Sequence, residues 1–178
     1  MVRDGGRILH SITTHHSQLP PHELAVALIR PQIAENTGNV GRTCVASGAA
    51  LHLVRPMGFV LDDRRIRRAG LDYWPRLDLT VHDSLEAFNA KTAARRRWWF
   101  DSGGTVDLFD VPFEADDLLV FGSETRGFDD ATIETNAGRI VRIPQVPGER
   151  CLNLATSVGV ALYAALARVS GARDEPRP

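Results

Sequence analysis

Three glycine-rich polar loops carry most of the side chains and open backbone with which this 178-residue chain can do chemistry. The apolar run Leu118-Leu119-Val120-Phe121 stops abruptly at Gly-Ser-Glu-Thr-Arg-Gly, 122–127. A buried strand that ends on glycine does so where backbone must approach something closely. The other two loops are "DSGGT", from Asp101, and "PQVPGERCLN", 144–153. Such loops suit presenting backbone N–H and C=O groups to a planar, neutral or cationic ligand. A polar stretch near the N-terminus, "NTGNVGR" from Asn36 to Arg42, follows an apolar run and opens a helix, with Asn36 or Thr37 suited to cap it.

Several chemistries are excluded. "GNVGRTCVASG" lacks the G-x-G-x-x-G spacing of a dinucleotide site and the acidic residue that should follow it. There is no phosphate-binding G-x-x-x-x-G-K-[ST] loop and no G-x-S-x-G nucleophile elbow. The six histidines form no H-x-x-x-H pair, and Cys44 and Cys151 have no metal-ligand spacing. Metal hydrolysis, phosphoryl transfer and serine-hydrolase chemistry fall away, and no metal is expected.

The elements that must position these loops follow from the pattern. "LAVALI", 24–29, reads as a buried strand bounded by Pro31, and a helix runs from Asn36 or Thr37 to a stop at Gly48. Further strands are expected at 49–54, near 79–81, at 97–100, at 118–121 and at 139–143. A short basic helix is expected around 63–69, and another helix opens at Asp83 or Ser84. A long apolar helix closes the domain, from about Leu152 to Val169. Leu154, Val158, Leu162 and Leu166 lie along one side of it, facing either the core or a second subunit. Strands alternating with helices predict an α/β fold, a mostly parallel sheet with helices on both faces. In such sheets ligands bind beyond the carboxyl ends of the strands, where the three loops lie.

Hydrophobic residues make up 43% of the chain and charged residues 24%, an ordinary globular composition. No apolar run approaches the roughly 20 residues of a membrane-spanning helix, so no membrane partner is expected. The N-terminus lacks the apolar core of a signal peptide, and a cytoplasmic protein is expected. One domain over 23–169 is expected, with a flexible leader at 1–22 and a disordered tail at 170–178. The net charge is −1, yet 20 of the 21 basic residues are arginine. They cluster as "RRIRR", 64–68, and "RRR", 95–97. Arginine's planar fork suits phosphate, so these clusters are either solvated faces or a nucleic-acid surface.

Three blocks resemble a known family: "IRPQIAENTGNVGRTCVASGAALHLVRPMGF" (29–59), "FGSETRGF" (121–128) and "RIPQVPGERCLNLATSVGVALYAALAR" (142–168). In this order and spacing they resemble the SPOUT class of RNA methyltransferases. With "LDDRRIRRAGLDYW", 61–74, the chain is similar to the TrmL/YibK-like tRNA wobble-position ribose 2′-O-methyltransferases within that class.

The resemblance implies a C-terminal trefoil knot that binds S-adenosylmethionine, and a homodimer with the active site at its interface. It implies methylation of the ribose 2′-OH of cytidine or uridine at the wobble position, in leucine tRNAs. It leaves open another tRNA or rRNA site, or a non-catalytic knotted RNA-binding protein. Carried over, the cofactor contacts are Phe100, Asp101, Gly122, Ile143, Cys151 and Leu152. Arg42 and Asn153 are the catalytic pair: Arg42 beside the reacting ribose, Asn153 holding its hydroxyl. Asn36 orients Arg42 or the RNA, and Tyr163 sits at the dimer interface or meets tRNA. Arg64, Arg65, Arg67 and Arg68 are expected to meet phosphate, and Arg126 to pair with Glu124 or do the same. Glu124 is expected to accept hydrogen bonds from knot-loop backbone, or to position substrate. Many relatives carry serine where this chain has Cys151.

Overall fold

The computed structural model describes residues 19–61 and 72–171. Seven strands form one sheet in the order β3-β2-β1-β6-β4-β7-β5, with every pairing parallel. They are β1 (Ala25–Ile29), β2 (Ala50–Val54), β3 (Leu79–His82), β4 (Arg97–Phe100), β5 (Val106–Asp107), β6 (Leu118–Phe121) and β7 (Ile140–Arg142). β1 and β6 are buried at every residue. Both are continuous apolar runs because both faces of a parallel sheet are covered.

Among the described residues four helices cover those faces: α1 (Ala34–Ser47), α2 (Leu85–Lys91), α3 (Asp130–Thr135) and α4 (Leu154–Val169). Val40 and Cys44 of α1 and Val158, Leu162 and Leu166 of α4 pack with Val26, Leu28 and Leu119 on one side. Phe88 of α2 and Ile133 of α3 pack with Ala27, Val120 and Trp99 on the other. Adjacent strand residues therefore go to opposite layers, as a pleated strand requires. The apolar stripe of α4 is core packing. The helix's outward surface carries Val160 and Tyr163 instead, 38% and 48% exposed.

Two ends differ from expectation. α1 begins at Ala34, so Asn36 and Thr37 lie inside it, buried, and do not cap it; Ile33 holds the cap position without a side-chain bond. The acceptors for this end come from another loop, described below. α4 begins at Leu154, and the side chain of Asn153 caps it. Gly48 does end α1, in the left-handed conformation at φ 78°. The expected basic helix at 63–69 lies outside the described residues.

Candidate active site

The carboxyl ends of β1, β4, β6 and β7 open into a cleft of about 940 Å³. Its apolar wall includes Phe100, Phe121, Val141 and Ile143. The rings of Phe100 and Phe121 stack in parallel, centroids 4.6 Å apart. All six expected cofactor contacts line this cleft, as do Asn36, Glu124, Arg126 and Asn153.

The loop after β6 answers why its first residue is glycine. It folds back on itself: Ser123 and Gly127 exchange backbone hydrogen bonds at 3.2 and 2.9 Å. Gly127 turns at φ 60°, and a Cβ on Gly122 would stand 2.4 Å from the Gly127 carbonyl carbon. The close approach is thus to the loop's own far end. The loop after β4 is equally tight. Asp101 N–H donates to the Val141 carbonyl at 3.0 Å, and the Asp101 carboxylate accepts from Gly103 N–H at 2.9 Å. A Cβ on Gly104 would come within 2.6 Å of the Val141 carbonyl carbon.

Glu124 stands between two chain segments. Its carboxylate accepts from Gln32 N–H at 2.8 Å, Ile33 N–H at 3.2 Å and the Asn36 amide at 3.1 Å. The two backbone donors belong to the β1–α1 connection and the amide to the first turn of α1, not to a C-terminal loop, so Glu124 holds the entrance to α1. Among the described residues Arg126 forms no ion pair with Glu124, whose oxygens are already engaged. Asn36 continues the chain of contacts: its Oδ1 accepts from Asn153 Nδ2 at 2.9 Å. Asn153 Oδ1 in turn accepts from Ala155 and Thr156 N–H at 2.9 and 3.4 Å, closing the first turn of α4. With one amide hydrogen given to Asn36, Asn153 retains one for a ligand.

Other expected residues lie elsewhere. Arg42 is exposed on α1 and is not part of the cleft wall. Six residues of helix separate it from Asn36, about 9 Å. Its guanidinium lies over the ring of Tyr73, 5.0 Å from the centroid. Tyr163 faces outward on α4, also away from the cleft. Arg64, Arg65, Arg67 and Arg68 lie outside the described residues. The second arginine cluster is internal scaffolding at the amino end of β4. Arg96 pairs with Asp117 at 2.6 Å and Glu114 at 2.6 Å, and Asp117 is fully buried. Arg95 donates to carbonyls of Glu23, Asp116 and Asp117. Burial pushes the Cys44 thiol up to about 12, which makes it inert, whereas Cys151 is exposed on the cleft. Among the described residues no cluster of three metal-ligating side chains occurs, and no helix is long and apolar enough to cross a membrane.

A model of the SpoU rRNA Methylase family matches residues 23–163. This chain belongs to that family. A relative from Burkholderia pseudomallei, named tRNA (cytidine(34)-2'-O)-methyltransferase, is 44% identical over 143 residues, 79% of this chain and 92% of the relative. A solved structure described as "Structural insights into the 2-OH methylation of C/U34 on tRNA" superposes with a TM-score of 0.77 at 42% identity, covering 85% of this chain and 99% of that one. The SpoU methyltransferase AviRb from Streptomyces viridochromogenes, solved in complex with AdoMet, superposes with a TM-score of 0.69 at 27% identity, covering 84% of this chain and 61% of that one.

Tyr73 and the Gln32–Ile33 backbone were not marked as site elements by the sequence pattern. Tyr73 sits in a polar stretch with no period of its own. The two backbone donors are visible only once Glu124 is placed beside them.

Proposed function

We propose that this chain transfers a methyl group from S-adenosylmethionine to the ribose 2′-OH of cytidine or uridine at the wobble position of leucine tRNAs. It does so in the cytoplasm as a homodimer, with the active site at the subunit interface. The observation that carries this reading is the Glu124–Asn36–Asn153 chain, which ties the "NTGNVGR" helix to the loop cleft. The names of the curated relatives supply the substrate class.

The cleft suits the donor. Phe100, Phe121, Val141 and Ile143 offer an apolar surface to a flat base. Among the described residues the 143–153 connection makes one internal backbone hydrogen bond, Glu149 N–H to Val146 C=O. Apart from the Asn153 carbonyl, which accepts from Ser157 N–H at 2.8 Å, its backbone is open to read the edges of a ligand. When bound, S-adenosylmethionine supplies a sulfonium methyl that is already activated, so the chemistry needs no metal. We read the segment from β4 onward as the family's trefoil knot, with Gly104 and Gly122 in two of its tight loops.

The protein's task is then placement and proton management. Orientation of the hydroxyl toward the methyl group supplies much of the rate. A guanidinium only donates hydrogen bonds and has no lone pair free to take a proton, so Arg42 is not the base. It holds the phosphate beside the reacting ribose, and that phosphate or a water takes the proton. Because Arg42 stands away from the cleft of its own chain, a partner subunit completes the site: one protomer's α1 faces the other's cleft. Val160 and Tyr163 on the outer side of α4 are the apolar surface available to that partner. Asn153 uses its remaining amide hydrogen on the ribose. Arg126, exposed on the cleft rim, meets RNA phosphate.

Nucleoside mass spectrometry tests this reading. Wild type and Arg42→Ala are incubated with S-adenosylmethionine and tRNA from a strain lacking the gene. New 2′-O-methylcytidine or a 2′-O-methyluridine derivative at the wobble position, strongly reduced but still measurable in the variant, is the expected result. Methylation at another position, or none with donor binding intact, overturns it.

A further inference from the structure

We infer that Tyr73 is a positioning residue for Arg42, an inference that rests on the reading of Arg42 just given. Tyr73 is only 4% exposed. Its hydroxyl donates to the Gly38 carbonyl at 2.7 Å, while its ring face lies under the Arg42 guanidinium carbon at 5.0 Å. Gly38 and Arg42 are four apart, so they lie on one face of α1. One side chain thus grips the helix at a backbone atom and holds a cation one turn further on.

The neighbouring residue makes the grip rigid. Tyr73 leads directly into a 3-10 turn, Trp74–Arg76, with proline at its second position. Arg76 and Leu77 N–H donate back to the Tyr73 and Trp74 carbonyls at 2.9 and 3.1 Å. Trp74 lies against Gly41 so closely that a Cβ there would meet its Cζ3 at 2.9 Å. The Tyr73–Trp74 pair therefore seats on α1 at two glycines, Gly38 and Gly41, immediately before Arg42. An exposed arginine otherwise loses rotamer freedom when a ligand fixes it. A ring beneath the guanidinium removes part of that cost in advance.

The prediction separates positioning from simple packing by a double-mutant cycle. With tRNA saturating, Tyr73→Leu should lower kcat about two- to fivefold, the order a cation–π contact to an exposed guanidinium allows. The KM for S-adenosylmethionine should stay unchanged, and Tyr73→Phe, which keeps the ring, should retain clearly more activity. Tyr73→Leu added to Arg42→Ala should cost nothing further, because Tyr73 acts through Arg42. An undiminished Tyr73→Leu effect in the Arg42→Ala background overturns the inference and makes Tyr73 a packing residue. Full activity of Tyr73→Leu overturns it equally. Full activity of Arg42→Ala instead overturns the reading of Arg42, and the inference with it. A measurement on the unaltered protein covers failure of Tyr73→Leu to fold. The Arg42 side-chain protons, assigned by their loss in Arg42→Ala, should show an upfield ring-current shift in the proton NMR spectrum. Random-coil positions for those protons overturn the inference.

Discussion

The amide of Asn153 donates to Asn36 Oδ1 at 2.9 Å across 117 positions of sequence. The same asparagine caps α4 through its own Oδ1, and Asn36 donates onward to Glu124. A single side chain therefore joins the start of the last helix to the inside of the first. Both helices are thereby set against the loop that follows β6.

That arrangement makes aspartate and alanine at position 153 different experiments. Asn153→Ala removes the cap as well as the bond to Asn36, and should cost about 1–2 kcal/mol of stability. Asn153→Asp keeps an acceptor for the α4 N–H groups but has no hydrogen to give to Asn36 or a ribose. Its melting midpoint should fall through loss of the Asn36 bond with the cap kept, while turnover falls at least about tenfold, the loss of roughly one uncharged hydrogen bond in the transition state. Thermal melts and single-turnover kinetics on both variants make the comparison. Equal turnover in Asn153→Asp and wild type would show that the residue is a cap alone.

Gly122 has no room for a methyl group, because the obstacle is the Gly127 backbone and not a movable side chain. Gly122→Ala should force the 122–127 loop open at a strain of about 1–3 kcal/mol. Calorimetric titration with S-adenosylmethionine should show much weaker binding in a protein whose circular dichroism is unchanged. An unaltered Kd would mean that this loop does not shape the donor site.

The cluster Arg64, Arg65, Arg67 and Arg68 is expected to hold tRNA through phosphate. Replacing all four with alanine should weaken tRNA binding and flatten its dependence on salt. The log–log slope should fall by roughly 0.7–0.9 for each phosphate no longer neutralised. Filter binding across a salt series reads both quantities. An identical slope would assign these arginines to solvent.

The histidine pair on β2 and β3 predicts a pH dependence of folding. His52 Nδ1 lies 2.9 Å from His82 Nε2, with the rings stacked at 5.2 Å. Burial first, then the neighbouring charges of His82 and Arg95, hold His52 down at about 4, with Asp78 opposing them weakly. His82 is also held below its ordinary value by burial and by Lys91. Unfolded histidine titrates near 6.5. Below that pH the unfolded chain takes up a proton that the folded one refuses, so stability is lost as pH falls from about 6.5 toward 4. Above 6.5 the pair contributes no slope. Melting midpoints from pH 7.5 to 4.5 should therefore fall, and His52→Asn should fall less steeply. Parallel curves for the two proteins would remove the pair from the explanation.

Much of the scaffold was legible from local pattern. β1 and β6 are apolar at every residue because both their faces are covered, and such runs announce themselves. The end of α1 at Gly48 was equally plain, since a left-handed cap needs glycine. What escaped were partnerships made across the chain. Asn36 carries the local signature of a cap, yet Glu124, 92 positions from Gln32, supplies the acceptors at that helix end. "RRR" at 95–97 looks like a phosphate surface, yet Asp117 is buried beside Arg96 and claims its guanidinium. β5 is only two residues long, too short to show any period. Tyr73 lies in the "LDDRRIRRAGLDYW" motif, yet no role for it shows there, because its partners Gly38 and Arg42 stand 35 and 31 positions earlier.

The cleft draws its walls from residues near 33, 100, 122 and 151, and its strut ends at Asn153. A growing polypeptide on the ribosome cannot assemble that ring of segments until residue 153 has been made. No shorter nascent fragment contains a donor site, however well its first strands have paired. Synthesis therefore delivers the binding capacity in one late step, after the sheet's central strands are already in hand.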